Sequence, residues 1–191
     1  MRERRGPSVT LVAAAIAMAA AVAWSDSGWA ATEECFLKID GIAGDSADAR
    51  HRGEIELVSW SLGMTTPVAS APGSGASTSS GRPDFQPLRV TQRVDRAVPA
   101  LFQTAASGRH VPSAILTCRR PGREAADYLK ITLQDVLVSG VRLGDSADAP
   151  PSAEVTLAYG RISIEYRQQM PDGSLAPAAV GGWDVRANKP Q

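Results

Sequence analysis

Apolar and polar residues alternate with period two in several stretches of the chain, the mark of half-buried β-strands. Leu88, Val90, Gln92 and Val94 oppose Arg89, Thr91 and Arg93, and Leu129, Ile131 and Leu133 oppose Lys130, Thr132 and Gln134. The longest case alternates Val155, Leu157 and Tyr159 with Thr156 and Ala158, breaks at Gly160, and resumes with Ile162, Ile164 and Tyr166. A glycine there predicts a bend or bulge within one long strand. A single helix is predicted near 96–106, where Val98, Leu101, Phe102 and Ala105 follow helical spacing. Asp95 is its candidate N-cap, Pro99 lies in the first turn and Gly108 is the stop. Residues 64–83 carry a Ser/Thr run and several Pro and Gly but almost no large apolar side chain beyond Val68, which predicts a long exposed loop.

Two segments break the alternation. Ile55 and Leu57 point to one face while Val58, Trp60 and Leu62 point to the other, and Val136, Leu137 and Val138 are consecutive. A register-changing bulge, a helix lying over the strand and a subunit interface all account for apolar residues on both faces.

The N-terminus has a different character. Arg2, Arg4 and Arg5 precede an alanine-rich apolar run from Val9 to Trp24, which reads as a secretory leader. Small-residue pairs at Ala21/Ala23 and Gly28/Ala30 offer two cleavage points, and the second divides the chain into a signal peptide, 1–30, and one domain, 31–191. The run is shorter than the roughly 20 apolar residues of a membrane span, so no stable membrane insertion is expected after cleavage. The expected location is periplasmic or extracellular. Loss of Arg2, Glu3, Arg4, Arg5 and Asp26 leaves a formal charge of −1.

The whole chain has 191 residues, 20 basic and 20 acidic, with 43% hydrophobic residues. This balance gives no electrostatic footprint for nucleic acid. The two cysteines, Cys35 and Cys118, both fall after the leader, on inward faces of predicted strands. A disulfide and two separate buried thiols satisfy this placement equally.

Catalytic patterns are missing from the chain. His51 and His110 have no partner at ligand spacing, and no H-E-x-x-H, C-x-x-C, G-x-S-x-G or nucleotide-binding fingerprint occurs. A hydrolase would have to assemble its triad from distant Ser, His and Asp residues. Gly44-Asp-Ser-Ala-Asp-Ala49 recurs at Gly144–Ala149, but neither copy continues as a calcium loop, and both read as self-satisfied acidic turns. No metal, cofactor or catalytic residue is expected.

An ordered set of segments resembles the Hcp family, the haemolysin-coregulated tube proteins of type VI secretion. These are Phe36–Ile42, His51, Glu54–Gly63, Val94–Pro99, Ser107–His110, Tyr128–Ser139, Ile164–Tyr166, Asp172–Ser174 and Gly182–Val185. The resemblance implies a mainly β fold: a compact barrel or sandwich of two packed sheets with one short helix and a protruding loop, like phage tail-tube subunits. It also implies a non-enzymatic homo-oligomer, a stackable hexameric ring whose lumen holds effector cargo, and it favours the subunit-interface reading of Val58, Trp60 and Leu62. An export leader is a departure from tube-building members, which assemble in the cytoplasm. A second expectation is therefore that the same fold serves as an exported binding module.

Overall fold

The structure, a computed structural model, describes residues 33–69, 79–120, 126–146, 149–170 and 173–191. The expected leader, residues 1–30, therefore lies outside the described residues. The strands are β1 (Glu34–Ile39), β2 (Ile55–Ser61), β3 (Met64–Thr65), β4 (Val68–Ala69), β5 (Ser79–Ser80), β6 (Asp84–Phe85), β7 (Leu88–Arg93), β8 (His110–Arg120), β9 (Ala126–Ser146), β10 (Ala149–Tyr166), β11 (Ala179–Asp184) and β12 (Lys189–Pro190). The helix, α1, spans Ala97–Ser107. Six antiparallel strands, in the order β10-β7-β2-β1-β8-β9, close on themselves because β9 also pairs with β10, and β11 and β12 extend the sheet from β10. The expected barrel is thus present, made by one sheet curled on itself rather than by two packed sheets, which leaves none of the six strands as a free edge along its whole length.

The alternation read from the sequence becomes the core. Leu37, Ile55, Leu88, Leu116, Ile131, Leu133 and Leu157 are completely or almost completely buried, contributed by six different strands. The connection containing α1 carries the chain from β7 past β2 and β1 to β8, and Ala97 and Leu101 join the barrel's core cluster. The Asp95 carboxylate accepts the Ala97 amide proton at 3.0 Å, as an N-cap does, and Arg96 already has helical backbone angles. Burial pushes the Asp95 carboxyl up from its ordinary pKa despite the hydrogen bonds it accepts. Gly108 closes the helix in the left-handed conformation with φ 63°. The helix's buried face is Ala97, Val98, Leu101 and Thr104, whereas Phe102, placed on the apolar stripe by spacing, is 58% exposed.

Local register changes explain the segments that broke alternation. In β2, Leu57 pairs with Gln92 but Ser59 pairs with Thr91, so Val58 is the extra residue of a bulge. The bulge turns Trp60 and Leu62 back towards the core, where both are half-buried, and leaves Val58 63% exposed. In β9 and β10, the core pair Leu133/Ile162 and the core pair Val138/Leu157 lie five residues apart on both strands. An odd spacing requires a face change between them. It occurs at Asp135, whose φ of 53° is left-handed, opposite Gly160. A Cβ at Gly160 would come within 2.9 Å of Asp135 Oδ2, so a side chain there would displace that carboxylate.

Of the loop expected at 64–83, residues 70–78 lie outside the described residues, and the described flanks pair as a two-stranded ribbon. Met64–Thr65 pairs with Asp84–Phe85 and Val68–Ala69 with Ser79–Ser80, with Gly81 donating to Pro67 O at 2.9 Å between them. Each ladder is two residues long and prolines 67 and 83 interrupt it, so no alternation could signal it. Among the described residues no helix is long and apolar enough to cross a membrane.

Candidate functional site

The β1–β2 connection folds back on itself through Gly44 N to Gly53 O at 2.8 Å and Gly53 N to Ser46 O at 2.8 Å. This brings Asp48, His51 and Glu54 over the outer side of β1, β8 and β9. Asp48 accepts both terminal nitrogens of Arg119, at 2.8 and 3.2 Å, while Arg119 Nε donates to Asp127 Oδ1 at 3.2 Å. His51 Nδ1 lies 2.9 Å from Glu54 Oε2 and Nε2 lies 3.3 Å from Asp127 Oδ1. Its ring stacks on Phe36, with centroids 4.3 Å apart, and the Arg119 guanidinium lies 5.3 Å from the same phenyl centroid.

Arg119 and His51 are only 4% and 6% exposed. Their donors must therefore be met inside the protein, and the three carboxylates do so. Hydrogen bonding from Arg119 is the main cause holding the Asp48 carboxyl far below the usual range, and Asp48 in turn raises the Arg119 pKa. This cluster fastens a loop; both ring nitrogens of His51 are engaged. The first copy of the repeated motif is structural, with Asp48 also accepting the amides of Arg50 and His51. Asp45 pairs with Arg96, whose side chain and amide lower its pKa. In the second copy, residues 147 and 148 lie outside the described residues.

His110 sits elsewhere, at the bend of the barrel strands. Its Nδ1 is 2.7 Å from Asp135 Oδ1, and Arg186 pairs with the other oxygen of Asp135. The nearby Ser113 hydroxyl donates to Asp40 Oδ2 at 2.8 Å. Each histidine therefore belongs to its own carboxylate cluster, and this serine is committed to another partner, so among the described residues no triad forms around either ring.

The ribbon's base borders an apolar surface. Leu62, Met64, Phe85, Tyr159, Ile162, Ile164 and Trp183 line a groove of about 500 Å³ between ribbon and barrel. Tyr159 Oη donates to Gln86 O at 3.1 Å, Arg82 donates to Val185 O at 2.7 Å, and the Phe85 and Trp183 rings stack with centroids 6.5 Å apart. Burial pushes the Tyr159 hydroxyl up to about 12. Met64, Val68, Ile164, Tyr166 and Val180 add exposed apolar area, and of the three residues expected at a subunit interface, Val58 is the one mostly offered to solvent.

Cys35 and Cys118 are direct register partners on β1 and β8, with Cα atoms 4.1 Å apart and sulfurs at 2.06 Å. Sequence reasoning placed both thiols inward; that they oppose each other follows from a pairing between strands 83 positions apart. The Arg119 network was missed for the same reason.

Comparison with known proteins connects these features. Residues 36–166 match the family described as "Type VI secretion system effector, Hcp". "Protein hcp1" of Pseudomonas aeruginosa is 36% identical over 158 residues, covering 81% of this chain and 96% of that protein. The crystal structure of Hcp1 from Salmonella typhimurium shares 34% identity, with a TM-score of 0.68 over 83% of this chain and 99% of that one. A structure described as a type six secretion system protein superposes with a TM-score of 0.79 at 22% identity, over 84% of this chain and 100% of that one, which is a likeness of fold.

Proposed function

The chain belongs to the Hcp family of type VI secretion proteins, and from that membership we propose that it is a structural tube subunit that forms hexameric rings. In this reading the rings stack, and their lumen carries or chaperones effector cargo. No bond is made or broken. The observation that carries the proposal is the extent of the likeness: it spans nearly the full length of the relatives, so the barrel is the whole of what they share with this chain. The surface supports it. Exposed apolar residues lie at the ribbon base and on β11, and Val58 is exposed separately at its bulge; apolar surface of this kind suits protein contacts. In the proposed ring, Val58 makes direct contact, with Trp60 and Leu62 behind it. Electron microscopy of the purified protein tests this: six-membered rings are expected, and isolated particles at all concentrations would overturn it.

The composition of residues 1–30 favours an additional step, export through a cleaved leader, after which Cys35 and Cys118 would sit in oxidising surroundings. Under the second reading the exported barrel acts as a binding module of the envelope or extracellular space. N-terminal sequencing of the protein from its native source separates the cases: a start at Ala31 supports export, and a retained Met1 removes it.

A further inference from the structure

Four neighbouring strands carry Leu57, Cys35, Cys118 and Leu129 side by side in one row across the sheet. Glu33 precedes Cys35 by two positions. A carboxylate oxygen of Glu33 and the two sulfurs all lie within 4.8 Å of one another. Cys118 is fully buried, whereas Glu33 is exposed. The corner is thus flanked by leucines on both sides and reached from solvent past a carboxylate.

We propose that this corner is a redox-gated site for a thiophilic divalent cation of the zinc class. While the sulfurs are bonded to each other they provide no thiolate. Two-electron reduction by a dithiol breaks the S–S bond, leaves two protonated thiols and converts the dithiol to its own disulfide. Metal entry then releases one proton from each thiol. The two thiolates, the Glu33 carboxylate and one water complete a tetrahedral shell. Zinc–sulfur bonds of about 2.3 Å place the sulfurs roughly 3.8 Å apart, a separation that side-chain rotation on adjacent strands reaches without unpairing β1 from β8. Thiolate ligands select this class over magnesium or calcium. Leu57 and Leu129 flank the two sulfurs in the same row. The site does not depend on ring formation.

The test reduces the purified protein with a phosphine, removes the reductant, and titrates Co²⁺ followed by Zn²⁺ while near-ultraviolet circular dichroism follows the fold. Sulfur-to-cobalt charge-transfer absorption is expected in the reduced protein at one equivalent, displaced by zinc, and no such band in the oxidised protein. Cys35→Ser removes the band. Glu33→Gln keeps both thiols and weakens affinity at least tenfold. The proposal is overturned by a folded, reduced protein with two free thiols and no band, by undiminished affinity in Glu33→Gln, or by loss of the fold on reduction.

Discussion

The Arg119 guanidinium donates to both oxygens of Asp48 across a sequence separation of 71 residues and so ties the β1–β2 loop to the end of β8. Arg119→Ala leaves Asp48 and Asp127 without their cation, and removing one partner of a buried pair typically costs about 3 kcal/mol. A fall in denaturant midpoint with unchanged slope checks this. The pair also sets an acid limit. The Asp48 pKa is lower in the folded chain than in the unfolded one, so its stabilisation is complete above the unfolded value and is lost as pH falls below about 4. The wild type therefore loses stability over that range, and Asp48→Asn flattens the loss.

The two copies of the Gly-Asp-Ser-Ala-Asp-Ala motif should respond differently to the same change. A Cβ on Gly44 would collide with the Glu54 carbonyl and lie 2.8 Å from Ile55 Cα, all backbone atoms, whereas a Cβ on Gly144 meets nothing within 4 Å. Gly44→Ala is expected to cost about 1–3 kcal/mol, and Gly144→Ala to stay within about 0.5 kcal/mol of wild type. Thermal melts of the two variants side by side measure the contrast.

That contrast shows what the sequence could and could not reveal. Identical motifs carry identical local signals, but Gly44 is packed against the backbone at the start of β2 and Gly144 stands in open space near the end of β9. Alternation at Leu88–Val94 and Leu129–Leu133 predicted strands because half-burial is written residue by residue. Gly160 announced its bend through its lack of a side chain, but Asp135, its counterpart on β9, gave no sign because aspartate at φ 53° depends on Arg186 and His110 arriving from elsewhere. The Val58 bulge was one of three readings of the same letters, and only the pairing with β7 separates them. Phe102 sat at helical spacing with Val98 and Leu101, yet the helix buries Ala97 and Thr104 instead, since the barrel surface decides which flank is covered.

The sulfur contact predicts a cross-link that survives purification without reductant. Peptide mapping under non-reducing conditions should recover Cys35 and Cys118 on one joined species. Cys35→Ser/Cys118→Ser should lower stability by about 4 kcal/mol, the scale for a loop of some 80 residues. Two freely alkylated thiols in the native protein would contradict the pairing.

The most direct test of the tube-subunit account is the mass of the purified protein by light scattering across a wide concentration range. A species of six chains is expected, weakened towards monomer by Val58→Glu. A particle that stays a single chain at the highest concentration would contradict it.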